Sequence, residues 1–183
     1  MKPMLVTPPA TALVSLEDAK AHLRVTSAEE DVLISGLIGA AMQYLDGWSG
    51  ILGRCIMPQT WKVTLSGFVD QALPFPDVMA VAVKYLDADL ATQTLSTTAY
   101  RFGSDAGGGY LIFDSAVGLP TAADREDAIW AEAEFGFANG ANLDGLRVAA
   151  KMLIAQWYDG REGAEGSPPA VSSLIAPFRW GRL

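Results

Sequence analysis

The apolar residues of this chain keep a helical spacing up to about residue 50, switch at Cys55 to every second residue, and return to helical spacing from Asn142. This double change of period predicts a small antiparallel sheet inserted between helices. Ser15 is placed to cap a first helix, with Asp18 three positions on and Leu16, Ala19 and Leu23 along one face. Ser27 and Glu30 repeat that spacing ahead of Leu33, Leu37, Ala40 or Ala41, Tyr44 and Trp48, so a second, longer helix is expected up to Gly50. The two form a hairpin whose apolar stripes share one core.

The alternating segments are Trp61-Val63-Leu65, Val81-Val83-Tyr85, and Ile129-Ala131-Ala133-Phe135. Tyr100 and Phe102 before Gly107-Gly108-Gly109, with Tyr110 to Phe113 after it, read as a hairpin around a glycine turn. Leu73-Pro74-Phe75-Pro76 reads as a connector or edge, because proline gives no ladder donor. From Asn142, a possible cap, Leu146, Ala149, Ala150, Leu153, Ile154 and Trp157 trace a third helix that stops near Gly160. The expected fold class is therefore α+β: a helical core of hairpin plus late helix, an inserted small antiparallel β region at about 55–137, and a C-terminal arm. In domain terms this is a single domain over 1–162, a flexible linker at 163–170 (GAEGSPPA) and a docking arm at 171–183.

Thirteen Lys and Arg against twenty-one Asp and Glu leave a net charge of −8, which disfavours a surface built to wrap nucleic-acid phosphates. Half of the residues are hydrophobic and the mean hydropathy is +0.22, so there is ample material for a core. The single cysteine, Cys55, forms no intramolecular disulfide and suggests a reducing compartment. Met1 to Ala12 lacks the apolar run of a secretory signal, and no stretch reaches the ~20 apolar residues that cross a bilayer. Synthesis in a cytoplasm, with no membrane partner, is the expectation.

Catalytic readings have little footing. His22 is the sole histidine, and with Asp18 it offers two ligands where zinc usually takes four, or three plus water. No G-x-S-x-G elbow accompanies a serine, and a lone cysteine is more often a small buried hydrophobe than a nucleophile. Gly107 to Gly109 is not followed by the Lys and Ser or Thr of a phosphate loop. Asp124, Glu126, Asp127, Glu132 and Glu134 could hold a glycosidase pair, but an acidic run is usually a solvated face. No enzyme activity, cofactor or metal is expected.

The last residues are the most discriminating. Val171 to Leu183 (VSSLIAPFRWGRL) carries Leu174, Ile175, Phe178 and Trp180 with Arg179 and Arg182 and no acid, a greasy, cationic end on an acidic body. Leaving Phe178 and Trp180 in water would forgo roughly 1.5–3 kcal/mol each, so they pack either on this chain's own core or on a partner. Aromatic and Arg enrichment at interface anchors favours the partner, with Leu174, Ile175, Phe178, Arg179, Trp180 and Arg182 as the binding residues.

The order of these elements resembles the head-tail connector, or adaptor, proteins of long-tailed phages and gene transfer agents. The resemblance lies in SLEDAKAHLR from Ser15 to Arg24, in Glu30-Asp31-Val32-Leu33-Ile34, in RCIMPQTW from Arg54 to Trp61, in Leu73-Pro74 leading to Val81-Ala82-Val83-Lys84-Tyr85, and in Tyr158-Asp159-Gly160-Arg161-Glu162. It implies a structural protein made in the bacterial host and placed in the neck of a virion or virion-like particle. There it forms a ring, often of twelve, below the portal, extends the DNA channel and links the capsid to the tail. The implied partners are the portal, neighbouring adaptor subunits and a downstream stopper or tail protein, with DNA passing through unbound. An acidic lining repels phosphate, which suits a conduit. By position, the C-terminal arm would reach the portal or a neighbouring subunit. The alternatives are another neck component, stopper or tail-completion, and a carbohydrate-binding or hydrolytic module using Glu132 and Glu134.

Overall fold

The computed structural model describes residues 2–138, 140–160 and 168–181. In chain order the elements are β1 (Met4–Thr7), α1 (Leu16–Leu23), α2 (Asp31–Leu45), β2 (Gln59–Thr64), β3 (Gln71–Ala72), β4 (Val78–Leu86), β5 (Thr92–Thr94), β6 (Tyr100–Asp105), β7 (Gly108–Phe113), β8 (Ile129–Phe135), α3 (Asp144–Asp159) and α4 (Pro169–Ile175). The fold is α+β. It divides into a β unit, Met1–Ala10 with Met57–Ala138, and a helical unit, Thr11–Ile56 with Asn139–Leu183. The sheet insertion thus also recruits the first ten residues.

In the helical unit the Ser15 hydroxyl accepts from the Asp18 N–H at 3.0 Å, as a cap should. Asp18 does not complete a capping box: its carboxylate accepts from the Ser15 hydroxyl instead. Arg24, at φ 59°, ends α1 in the left-handed conformation, and the next N–H, of Val25, reaches back to the Lys20 carbonyl. The second expected box does not form. Ser27 accepts from Glu29 in a local turn, and Glu30 accepts from the Tyr158 hydroxyl on α3, so α2 starts at Asp31 with no side-chain cap. The helix ends at Leu45, earlier than the apolar spacing suggests, and Trp48 lies in the loop beyond it. There the Asp46 carboxylate accepts from the Ile56 N–H at 2.6 Å, folding 46–56 back on itself.

The inner stripes behave as amphipathic helices require. Leu146, Ala149, Ala150, Leu153 and Ile154 of α3 are buried as expected, but in α2 the buried residues are Ile34, Ile38, Ala41 and Leu45, one position on from the expected stripe, whose Leu33 and Ala40 are exposed. The Asn142 carboxamide accepts from the Asp144 N–H in a turn just ahead of α3, but it is not the cap: that position is Leu143, whose side chain makes no capping bond. Tyr44 meets Trp157 edge-on with ring centroids 6.0 Å apart.

The β unit holds two sheets, not one. Five strands run in the order β1-β2-β8-β4-β5 and three in the order β3-β7-β6, with all pairings antiparallel. Strand β8, last in sequence, lies at the centre of the larger sheet. Its inward side chains Ala131, Ala133 and Phe135 are fully buried, and the alternation read from the sequence is the cause. Phe135 packs against Phe75 (centroids 5.1 Å), which packs against Trp61 (5.2 Å). Phe75 comes from the proline-flanked connector, which places it here without adding a central strand. The expected glycine turn is the two-residue loop Ala106-Gly107 joining β6 to β7.

On the outward side of the larger sheet Lys84 donates to Glu132 at 2.7 Å, and Lys62 lies 4.3 Å from the Trp130 ring centroid. The Lys84 ammonium, with smaller help from the Trp130 indole N–H and the Lys62 charge, holds the Glu132 carboxyl below its usual value against a partial desolvation penalty. A depressed carboxyl contributes stability above its unfolded pKa and loses it as pH falls through the folded one. We expect Lys84→Met to cost under about 1 kcal/mol at neutral pH, the range of a screened surface pair, and nothing once Glu132 is protonated in both states. Urea denaturation from pH 7 downward checks this: a cost that does not shrink as the pH falls would contradict it.

Candidate partner-binding surface

The C-terminal segment forms α4 and a following 3-10 turn, Ala176–Phe178. Pro169 opens the helix, where its missing N–H costs nothing. Val171 and Ile175 are fully buried in the helical unit. The backbone beyond them is also tied in: the Trp180 N–H donates to the Leu52 carbonyl at 2.7 Å, and Arg54 donates to the Phe178 carbonyl at 3.3 Å. Gly53, at φ 66°, makes the first contact possible. A Cβ there would stand 2.6 Å from the Trp180 carbonyl oxygen, inside any tolerable approach, in a conformation that side chains avoid. Gly145 on α3 likewise leaves room for the Phe178 ring, which would lie 3.3 Å from its Cβ.

The candidate binding residues therefore separate. Ile175 belongs to this chain's own core, and Leu174, Phe178 and Trp180 are half-buried with one side outward. Arg179 is exposed. Arg182 lies outside the described residues, as do 163–167 of the expected linker. Between Pro168 and Trp180 the segment is an ordered part of the helical unit. Gly53 and Gly145 were not singled out from the sequence, since only the fold shows what approaches them.

The candidates for chemistry scatter. His22 is exposed and Asp18 is engaged with Ser15. Cys55 is buried. Glu132 is held by Lys84, and among the described residues no group of three or more His, Cys, Asp or Glu could hold a metal ion. No helix among the described residues is long and apolar enough to cross a membrane.

Residues 13–100, just under half of the chain, match the family model of the phage gp6-like head-tail connector proteins. The matched segment takes in α1, α2 and β2 to β5, and so draws on both units. Curated proteins give no match. Among solved structures, the chain is similar to one in the neck of an empty gene transfer agent particle computed with C6 symmetry, at 24% identity and TM-score 0.75, covering 100% of this chain and 97% of that one. A chain in the virion of a native gene transfer agent particle gives 23% identity and TM-score 0.76 with the same coverage. A third, in the neck of a native particle computed with C12 symmetry, gives 19% identity and TM-score 0.68 over 98% and 97%. The fold of this chain, over nearly its whole length, is thus shared with chains of gene transfer agent particles.

Proposed function

We propose that this chain is a structural, non-enzymatic connector that joins copies of itself into a ring in the neck of a virion-like particle, between the portal and a downstream stopper or tail protein. The observation that carries the reading is the connector-family match over residues 13–100; the full-length likeness in fold to chains of gene transfer agent necks supports it. The net charge of −8 suits a ring through which DNA passes without being held. Portal contact falls to the outward sides of Leu174, Phe178 and Trp180 and to Arg179 on the preformed C-terminal surface.

Mixing the protein with purified portal of the same particle should give a ring visible by negative-stain microscopy that neither component forms alone. Arg179→Glu, which leaves Val171 and Ile175 in place, should weaken that binding about tenfold, the equivalent of ~1.4 kcal/mol. Absence of any ring on the portal would refute the connector reading, whereas unchanged binding by Arg179→Glu would refute only the C-terminal contact.

A further inference from the structure

Helix α2 has an outward face that no other described residue covers. Between Asp31 and Asp46 the chain carries no charged residue, and the positions turned away from the buried stripe are Val32, Gly36, Gly39, Ala40 and Gln43. Val32 is 87% exposed, and Leu33 beside it 46%. Among the described residues nothing lies within 4 Å of where a Cβ would stand on Gly36 or Gly39, so alanine would fit at both and would favour the helix. Two helix-interior glycines that weaken the isolated helix without serving a contact within it suit close approach by another backbone.

The charge pattern selects the occupant. Copies that each carry −8 repel, and a contact between them is cheapest where acids are absent, as along the roughly 17 Å of α2 from Val32 to Gln43. A closed ring needs two different faces on each subunit. Helix α3 supplies the second: Val148 and Arg147, which donates to the exposed Asp144 at 3.0 Å, lie on its outward side, with Lys151 half-buried next to them. That face, with one more base than acid, complements Glu29, exposed at the entry to α2, and the adjoining hollow of about 450 Å³ lined by Glu29, Glu30, Leu33, Trp157 and Tyr158. We infer that the α2 face centred on Val32, Gly36 and Gly39 receives a second copy of this chain through the Arg147–Val148 side of that copy's α3. The inference rests on the ring reading above and names the subunit contact within it.

Two variants test it on the full chain with purified portal: Gly36→Leu/Gly39→Leu, which fills the close approach, and Val32→Lys, which charges a site too exposed to disturb folding. Both should melt at or above the wild-type temperature and still bind portal. Counted by native mass spectrometry, they should load fewer copies per portal and close no ring at a protein concentration ten times that sufficient for wild type. Ring closure by both variants at the wild-type concentration would overturn the inference. So would loss of all portal binding, which would assign the face to the portal. If wild type itself closes no ring, it is the ring reading that fails, and the subunit contact goes with it. Should the double variant unfold, Val32→Lys alone decides.

Discussion

Replacing Ile175 with alanine should destabilise the helical unit by about 2–5 kcal/mol, the range for emptying a fully buried aliphatic site. The size of the effect follows from where α4 sits. Val171 and Ile175, one turn apart, are its two buried anchors, and α4 is only seven residues long, too short to hold its shape without them. The loss should be visible as a lowered denaturation midpoint and as faster hydrogen exchange of the amides in α4 and in the Leu52–Trp180 link. Arg179→Glu, by contrast, should leave both unchanged. The pairing of the two variants separates an anchor of the fold from a surface offered to a partner, which truncating the whole segment would confound. An Ile175→Ala protein as stable as wild type, with α4 amides equally protected, would show that the segment contributes nothing to its own unit.

Phe135→Ala should cost about 3–5 kcal/mol in the β unit. Phe135 is fully buried on the central strand β8, and its ring closes the row Trp61–Phe75–Phe135. The strand pairs with β2 on one side and β4 on the other, so relaxation into the void would have to shift two ladders at once, and little collapse is available to offset the cavity. Chemical denaturation measures the cost, and the near-ultraviolet circular dichroism of the aromatic row should fade with it. A loss below 1 kcal/mol would mean that Phe75 and Trp61 repack freely.

What the sequence reveals, and what it hides, divides along the range of the interactions. The Ser15 cap, the buried stripe of α3, and the alternation in β2, β4 and β8 are local patterns, and each stands where its spacing places it. The α2 stripe is displaced by one residue, because this helix is apolar nearly all round and its spacing alone does not say which face turns inward. The Ser27–Glu30 pair failed as a cap because Glu30 is engaged 128 residues away by Tyr158, a competition that no local spacing reveals. The split into two sheets was hidden for the same reason: β3, two residues long, is defined only by its pairing with β7. Strand β1 was missed because Met4-Leu5-Val6-Thr7 is short, exposed and surrounded by prolines, which argue against a strand until its partner β2 is known. At the C-terminus the composition correctly marked residues that must pack, but composition cannot tell an internal cradle from an external one. The choice was made by Gly53 and Gly145, which admit the segment, and neither glycine has a sequence signature apart from its fold.

Strand β1 also has a consequence for how such a chain tolerates crowding. An open β margin is an invitation for like segments to zip together, and the danger grows when many copies are held side by side around one axis. Here Met4–Thr7 takes the flank of β2 that would otherwise lie bare, and Pro3 and Pro8, which bracket it, withhold their donors and so keep the new margin to four residues. On that side of the larger sheet a long open border has been exchanged for a short one.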